Sequence, residues 1–528
     1  RMQHVEALTG TLVAALNAYV FWTQYKEHQK RKLRKQLQQR QADPEYKVII
    51  VGAGISGLCT AIKLQEKGIP FEIHEKKGGV GGTWVDNVYP GSGCDVPSFL
   101  YSFSFEPNLS WSRKWASQKE ILEYIEAVTK KYNLYQHIRF YSEICSASFD
   151  EEESLWNLST TSGVQISSRW VVCSTGQLNL PNIPAIPGRD SFQGESFHSA
   201  RWNYDIDLKG KKVAVIGTGA SAIQFVPCIS EEVDELFVFQ RSPSHIDRKN
   251  DYEYSKLTHF LFKHVPGVAK LYRWTIYWVF ESLWPVFQQG RLNKAVGNFI
   301  CGGMKKVIDD SEASRSLIPS YAIGCKRILI SNNYFPTLAK DHVHLIDTPV
   351  TEITERGVVS AEVERDVDVI IFATGFQSYR FLFPIDIKGL DSKSLSDVWQ
   401  DHPFAFWGLT VPEFPNMFIT YGPTTNLVHN SIIFMIECQV AYIVQAIEKC
   451  QRNNVLSISL QQEQMDRYSE MCGRSLQSTV FATDCGGWYK TPSGVLVNNS
   501  AFSTLTYWWN TCVKGFRWNH YRITKAES

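Results

Sequence analysis

Two glycine-rich nucleotide-binding fingerprints in one chain constrain the fold more than any other feature of this sequence. In the first, an apolar run that predicts a buried strand leads into Gly52, Gly54 and Gly57, a helix, and a second predicted strand that ends at Glu75. In this context the glycines allow a tight turn, a close backbone approach to a pyrophosphate and close helix packing. A carboxylate at the end of the second strand suits a ribose hydroxyl, which favours FAD. The residues predicted to bind it are Gly52, Gly54, Ser56, Gly57 and Glu75.

The second fingerprint, Gly217-x-Gly219-x-x-Ala222, repeats the pattern after another apolar run. Arg241 lies just after the next predicted strand, at the position that corresponds to Glu75 in the first fingerprint. A guanidinium pairs with a 2′-phosphate that a carboxylate would repel, so this site favours NADPH. An ordinary surface cation is the alternative for this arginine. The residues predicted to bind NADPH here are Gly217, Thr218, Gly219, Ala220, Ser221, Ala222, Gln224, Arg241 and Ser242.

The two fingerprints predict an α/β protein with two Rossmann-like dinucleotide-binding domains, the NADP domain being inserted into the FAD domain. Two further apolar runs, at 171–176 and 369–375, predict strands that end in a small-Thr-Gly turn, where a chain crosses between such domains. The predicted division is an N-terminal helix and basic linker at 1–45, FAD-binding parts at 46–185 and 365–528, and an NADP-binding domain at 186–364 with a helical insertion at about 252–315.

Charge and cysteine content exclude several classes of function. The chain has 54 lysines and arginines against 53 aspartates and glutamates, a balance that argues against a nucleic-acid-binding protein. Its 12 cysteines are sparse and contain no C-x-x-C pair, so neither a metal site nor a disulfide scaffold is predicted. A reducing compartment with unpaired cysteines is the expected setting. Only Cys59 lies on the first fingerprint helix, which excludes a dithiol reductase.

The N-terminal segment differs from the rest of the chain. Residues 7–22 are apolar but short for a membrane span, and residues 26–40 carry seven lysines and arginines against one glutamate. This order fits an anchor in the endoplasmic reticulum with a cytosol-facing body, and a soluble amphipathic helix with a basic extension is the alternative. The aromatic and basic stretch 505–523 could lie on the same membrane or pack over the FAD domain.

The segment between the fingerprints carries a more specific resemblance. Phe192, Gly194, His198 and Trp202 fit the pattern F-x-G-x-x-x-H-x-x-x-W, and this resembles the signature of type I Baeyer–Villiger monooxygenases, which are class B flavoprotein monooxygenases. The simpler flavin-containing monooxygenases carry Tyr or Phe at the tryptophan position. Residues 426–439 are similar to the flavin-side helix of the hydroxyacetophenone-oxidising branch. His198 would then act structurally, between the domains.

The resemblance extends over roughly residues 46–510 and implies further site residues. Asp95 matches the active-site aspartate of the family, although Gly93 departs from the arginine common two positions earlier. Lys326 and Arg327 match a lysine that contacts the NADP phosphate and the catalytic arginine. The residues matched to cofactor contacts are Gly81, Gly82, Thr83, Trp84, Asp95 and Tyr101 for FAD, and Lys326, Arg327 and Trp488 for NADP. The structural alternatives are a turn cap for Asp95 and an ordinary ion-pair partner for Arg327.

The reaction that the resemblance implies is an NADPH- and O2-dependent Baeyer–Villiger oxidation of a ketone to an ester or lactone through a C4a-peroxyflavin. Oxygenation of nitrogen or sulfur is one alternative, and a non-catalytic membrane-associated flavoprotein is another. The aromatic segment 259–287 either packs a core of its own as a helical hairpin or lines the access path, which would favour a hydrophobic ketone. No oligomeric state follows from the sequence.

Overall fold

The computed structural model describes residues 47–308 and 316–526. The first of its two large sheets has five parallel strands, whose central strand precedes the first fingerprint. All four residues of that central strand are buried, as expected for a parallel sheet covered on both faces. In spatial order the strands are Met417–Ile419, Trp170–Cys173, Val48–Val51, Phe71–His74 and Ile138–Arg139.

The second large sheet is also five-stranded and parallel, and its central strand precedes the second fingerprint. In spatial order its strands are Val343–Ile346, Glu235–Phe239, Lys212–Ile216, Val369–Phe372 and Glu195–His198. The α/β class with two Rossmann-like sheets is confirmed. The boundary predicted at 364/365 is wrong in one respect: the strand Val369–Phe372 pairs within the second sheet, so that sheet extends past the boundary.

The helices that cover the first sheet have apolar faces matched to it. Helix Ile55–Lys67 follows the first fingerprint and ends at Gly68, whose φ of 72° supplies a left-handed cap. It packs against the 21-residue helix Ile432–Arg452, and both contribute to the largest hydrophobic core. Burying this continuous apolar face fixes the position of the first fingerprint turn relative to the sheet.

Smaller sheets and helices complete the described chain. The smaller sheets are Asp386–Lys388 with Ile144–Asp150, Leu155–Thr160 and Gln165–Ser168; Val350–Ile353 with Gly357–Ser360 and Val363–Asp366; Ile246–Asp247 with Leu329–Ile330; and Val455–Leu460 with Tyr521–Lys525. The other α-helices outside the insertion are Thr83–Asp86, Gln118–Lys131, Ala222–Ile229, Tyr334–Leu338, Leu395–Trp399, Gln462–Gln477 and Thr504–Trp508. Short 3-10 or π turns are Leu134–His137, Arg189–Ser191, Ser199–Arg201, Leu390–Ser392, Val480–Ala482, Trp509–Val513 and Trp518–His520.

The predicted helical insertion is present, and it packs on the rest of the molecule as well as on itself. Phe262 and Tyr272 lie on neighbouring helices with ring centroids 5.2 Å apart, and both rings also contact Phe99, which precedes the insertion in the chain. The helices of the insertion are Lys256–His264, Val268–Glu281, Trp284–Phe287 (a 3-10 turn) and Arg291–Lys305.

The two segments with predicted membrane contacts have different outcomes. Residues 7–40 lie outside the described residues, and within 47–308 and 316–526 no helix has the length and apolar character needed to cross a bilayer. In the C-terminal stretch, Tyr507 and Phe516 are buried in the main core, beside helix Ile432–Arg452, whereas Trp508 and Trp509 are exposed. One side of the stretch therefore packs over the part of the chain that carries the first sheet, and its other side faces outward.

Candidate active site

A cavity of about 790 Å³ lies at the carboxyl ends of the two large sheets. Residues at the carboxyl ends of the three inner strands of each sheet line it, which is where open α/β sheets bind their ligands. The predicted cofactor-site residues that line it are Gly52, Gly54, Ser56, Glu75, Gly81, Gly82, Thr83, Trp84, Asp95, Tyr101, Gly217, Thr218, Gly219, Ala220, Ser221, Gln224, Arg241, Ser242, Lys326, Arg327 and Trp488. One cavity thus receives both fingerprints.

The glycines of the first fingerprint have separate physical roles. Gly52 has a φ of +107°, and a Cβ there would lie 2.7 Å from the carbonyl oxygen of Ser174. Gly57 does not line the cavity; its missing side chain lets the helix pack on the turn, since a Cβ would lie 1.9 Å from the Gly52 carbonyl oxygen. Gly54 is the helix N-cap and offers no side-chain cap, so the first-turn N–H groups are open to an anionic ligand.

Glu75 lies at the end of the second strand, buried, with its carboxylate on the cavity wall. Its Oε2 accepts a hydrogen bond from the Ala53 N–H at 2.7 Å, and its Oε1 accepts one from the Lys77 N–H at 2.9 Å. These bonds hold the carboxylate beside the fingerprint turn, and each oxygen has a further lone pair for a ribose hydroxyl. The geometry fits FAD.

The second fingerprint repeats this construction with one change. Gly217 also has a φ of +107°, and a Cβ there would lie 2.6 Å from the Ala373 carbonyl oxygen. A Cβ at Gly219 would meet no atom within 4 Å, so its backbone faces open space in which a pyrophosphate fits. Ala222 was predicted to contact the cofactor, but it is buried at the first position of helix Ala222–Ile229 and does not line the cavity.

Three polar side chains gather beside the second fingerprint. Lys326 Nζ donates to Ser242 Oγ at 2.6 Å, and Arg241 lines the same part of the cavity. Burial lowers the pKa of Lys326, and the nearby Arg241 lowers it further. Within residues 47–308 and 316–526 neither cation forms an ion pair with a carboxylate, and two such cations suit a phosphate ester, whose charge would balance theirs. The cluster fits the 2′-phosphate of NADPH.

Asp95 and Arg327 form a two-pronged ion pair at the cavity wall. Arg327 Nε donates to Asp95 Oδ2 at 2.7 Å and Nη2 donates to Oδ1 at 2.6 Å. Burial lowers the pKa of Arg327, but the charge and hydrogen bonds of Asp95, together with the nearby Tyr489 and Tyr421, outweigh that effect and the net pKa is raised. The guanidinium therefore stays positively charged at any working pH, with its plane fixed by the carboxylate.

The loop that carries Asp95 is hydrogen-bonded to helix Ala222–Ile229, which follows the second fingerprint. Gln224 accepts a hydrogen bond from the Tyr89 hydroxyl at 2.9 Å and donates to the Gly93 carbonyl oxygen at 3.1 Å. Gly91, with a φ of +77°, packs so closely that a Cβ would lie 2.6 Å from the Gln224 carbonyl oxygen. Sequence reasoning assigned Gln224 to the cofactor and missed this contact between the two nucleotide-binding parts.

Aromatic side chains line the cavity at two places. Trp84 Nε1 donates to the Tyr101 hydroxyl at 3.2 Å, with the rings edge to face. Trp488 reaches the cavity from the C-terminal part, and its carbonyl oxygen is held by Ser378 and Asn498. Sequence analysis missed Tyr421, which also lines the cavity and whose pKa is raised to about 12 by burial. No local motif marks it.

A disulfide joins two segments of this site. Cys325, directly before Lys326, is bonded to Cys485, and their Cα atoms are 6.3 Å apart. The expectation of unpaired cysteines is therefore wrong for this pair. The two residues are 160 positions apart, so no spacing rule indicates their pairing. The bridge fixes the segment before Trp488 to the segment that carries Lys326 and Arg327.

The signature between the fingerprints lies outside the cavity. His198 ends the edge strand of the second sheet, is buried, and has its pKa lowered to about 4, chiefly by burial. Trp202 packs on Phe225 of helix Ala222–Ile229. Phe192 and Gly194 lie in close contact at the start of the strand, where a Cβ on Gly194 would lie 2.4 Å from the Asp368 carbonyl oxygen. This placement fits a structural role.

A family model described as flavin-binding monooxygenase-like matches residues 45–398. The chain belongs to that family. A Baeyer–Villiger monooxygenase of Pseudomonas aeruginosa is 40% identical over 484 residues, which cover 91% of this chain and 89% of the relative. A Baeyer–Villiger monooxygenase of Streptomyces coelicolor is 37% identical over 462 residues, covering 86% of this chain and 88% of the relative. The resemblance to Baeyer–Villiger monooxygenases found on residues 192–202 is thereby confirmed, and it extends over most of this chain and of both relatives.

Solved structures of similar proteins share the fold. An oxidised steroid monooxygenase bound to NADP superposes with a TM-score of 0.81 at 30% identity, covering 91% of this chain and 100% of the other. OTEMO in complex with FAD and NADP superposes with a TM-score of 0.81 at 26% identity, covering 91% and 99%. The fold of this chain is therefore shared with a monooxygenase solved with NADP and with a protein solved with both FAD and NADP.

Proposed function

We propose that this chain is an FAD-containing, NADPH-dependent monooxygenase that inserts one atom of O2 beside a ketone carbonyl to give an ester or lactone. The observation that carries the proposal is the bidentate salt bridge between Asp95 and Arg327, at the wall of the cavity that residues of both fingerprints line. Relatives named Baeyer–Villiger monooxygenases, at 40% and 37% identity, support the reaction type. NADPH and FAD are the cofactors that the two fingerprints fit.

Each part of the site has a distinct task in this reaction. FAD, when bound and reduced by NADPH, supplies the activation of O2. The helix that begins at Ile55 and the carboxylate of Glu75 hold the FAD pyrophosphate and ribose. The helix that begins at Ala222 and the cations of Arg241 and Lys326 hold NADPH.

Arg327 supplies a fixed positive charge where negative charge develops on oxygen during the reaction. Its Nε and Nη2 atoms are engaged by Asp95, and this leaves Nη1 with two further N–H groups to donate. Asp95 acts through Arg327: it sets the plane of the guanidinium and does not exchange a proton in this scheme. Because these donors are oriented before the substrate arrives, little reorganisation is needed in the transition state.

Product analysis with two classes of substrate tests the proposal. Purified protein reconstituted with FAD is supplied with NADPH, O2 and either an aryl ketone or a thioether, and ester and sulfoxide are quantified. We expect ester from the ketone, and we expect Arg327→Ala to lose it while Arg248→Ala, which alters an exposed arginine outside the cavity, keeps it. Sulfoxide alone would support heteroatom oxygenation instead, and NADPH consumption without either product would support a non-catalytic flavoprotein.

The substrate class proposed is a hydrophobic ketone. Apolar side chains on the first turns of helix Ile432–Arg452, namely Ile432 and Ile436, line the cavity together with Leu427 and Phe383. The described part of the insertion, predicted as a possible access path, does not line it. A series of cyclic, aryl and long-chain ketones is the screen that ranks substrates, with a small polar ketone as the control.

Anchoring of residues 7–40 to the endoplasmic reticulum, with the body facing the cytosol, stays a proposal supported by the sequence order of apolar and basic residues. Fractionation of the full chain against a chain that begins at Asp43 tests it. We expect the full chain with the membranes and the shortened chain in the supernatant. Equal recovery of both without detergent would contradict the anchor.

A further inference from the structure

The insertion helix Val268–Glu281 is apolar on both of its faces. Its inward side packs Ile276 and Tyr277 into the core, as an amphipathic helix does. The opposite side presents Leu271, Trp274 and Trp278, spaced at i, i+3 and i+7, and these side chains are 69%, 44% and 51% exposed. A helix on a protein surface normally places charged or polar residues on that side, so this face has an unexplained apolar stripe.

The neighbouring helix Lys256–His264 repeats the arrangement. Phe262 points inward, whereas Leu257, Phe260 and Leu261 form an exposed stripe at i, i+3 and i+4. The two helices pack against each other, with the Phe262 and Tyr272 rings in contact. The two exposed apolar stripes therefore lie on helices that contact each other.

The C-terminal helical segment borders this surface. Its exposed residues Leu505, Trp508 and Trp509 again follow the i, i+3 and i+4 spacing. The hydroxyls of Tyr277 and Thr504 are hydrogen-bonded at 2.7 Å, which places the start of this segment beside the second half of the insertion helix. We name the whole set the exposed aromatic surface: Leu257, Phe260, Leu261, Leu271, Trp274, Trp278, Leu505, Trp508 and Trp509.

The charge around the exposed aromatic surface is mostly positive. Residues 252–306 contain eight lysines and arginines and only two carboxylates, Glu253 and Glu281, in a chain whose net charge is +1. Glu281 is buried, where it accepts hydrogen bonds from Asn430 and Thr504. Residues 503–525 contain four lysines and arginines and no carboxylate. An occupant of this surface must therefore be apolar at its centre and anionic around it.

We propose that the exposed aromatic surface docks on an anionic lipid bilayer, lying in the headgroup region without crossing it. Tryptophan favours that depth, and surrounding cations gain from the negative potential of anionic headgroups. A second copy of this chain fits less well, because a two-fold contact through this surface would bring two cation-rich rims together. The proposal concerns residues 252–306 and 503–525 and is separate from the anchor proposed for residues 7–40. It does not depend on the reaction catalysed.

Vesicle co-sedimentation of the full chain tests the docking. The probes are vesicles of phosphatidylcholine with phosphatidylserine, and vesicles of phosphatidylcholine alone. We expect the wild-type chain to bind the anionic vesicles more tightly, with affinity falling as salt is added. Trp278→Glu should weaken this binding by at least about tenfold, since it removes a half-exposed aromatic side chain and adds a repelled charge. Tyr141→Glu, which alters an exposed aromatic residue at 79% exposure outside the surface, is the matched control and should bind as wild type.

Trp274→Ser is a second variant that adds no charge, and thermal unfolding of each variant confirms that it is folded. Weaker binding of both tryptophan variants, with the control unchanged, would support the docking surface. If Trp278→Glu binds as tightly as wild type, the N-terminal segment carries the attachment and the proposal is wrong. Equal binding to neutral and anionic vesicles, no binding at all, or a change of oligomeric state in place of a change in vesicle binding would each overturn it.

Discussion

Arg327→Lys keeps the positive charge of the proposed catalytic residue and removes only its bidentate hydrogen bonding to Asp95. Arg327 donates to both oxygens of Asp95, at 2.7 and 2.6 Å, and this pairing fixes the guanidinium plane. A lysine has a single nitrogen on a flexible stem and cannot reproduce two parallel bonds. One hydrogen bond to a charged group contributes about 1.5–3 kcal/mol. If the transition state loses that much stabilisation because the charged group is no longer held in place, ester formation slows roughly 10- to 100-fold.

The assay compares ester formed with NADPH consumed, and flavin absorbance reports whether FAD is still bound. We expect both Arg327 variants to retain FAD, because Arg327 lies outside the first fingerprint. We expect the rate of ester formation to fall about 10²–10³-fold in Arg327→Ala. Combining Arg327→Ala with Asp95→Ala should cost less than the sum of the single losses, since each residue acts through the other. Ester formation by Arg327→Lys at the wild-type rate would refute the reasoning, because the bidentate pairing with Asp95 would then have no effect on the reaction.

Three further predictions follow from the cofactor sites and from the buried histidine. Glu75→Gln should weaken FAD retention by about 1–3 kcal/mol, measured by flavin loss on dialysis, whereas Glu72→Gln, on the same strand but outside the cavity, should not. Arg241→Ala should raise the KM for NADPH by roughly 10- to 100-fold and leave the KM for NADH nearly unchanged; equal effects would mean that the arginine is structural. Folding lowers the pKa of His198 from 6.5 to about 4, so its neutral form contributes stability above pH 6.5 that is lost as the pH falls towards 4. Urea unfolding of His198→Gln should show this pH dependence reduced by up to about 3 kcal/mol, while His264→Gln, at an exposed position, keeps the wild-type profile.

The features that the sequence predicts well are those encoded locally. The two turns at Gly52 and Gly217 need a positive φ and no side chain, and the apolar runs before them need burial on both faces, so a short stretch of sequence carries the whole signal. Glu75 follows for the same reason, since it is the residue at the end of a strand whose position the fingerprint fixes. Gly57 shows the limit of this reasoning: the motif placed it among the cofactor contacts, but it serves helix packing.

The features that the sequence does not predict depend on contacts between distant segments. Asp95 and Arg327 are 232 positions apart, and the resemblance to a known family, not their spacing, brought them together. Tyr421 reaches the same cavity from a loop without any motif. The strand Val369–Phe372 is followed by the same small-Thr-Gly turn sequence as the strand Trp170–Cys173 of the first sheet. Only its pairing with Lys212–Ile216 assigns it to the second sheet. Long-range pairing of this kind follows from tertiary packing, which a pattern of residues along the chain does not contain.

The bond between Cys325 and Cys485 makes the chain a closed ring over the residues between them. That ring includes the last strands of the second sheet and the long helix Ile432–Arg452, so it spans both nucleotide-binding parts. A protease that cuts once inside the ring therefore produces two pieces that remain one covalent molecule. They migrate together on a denaturing gel until a thiol reductant is added, and then separate.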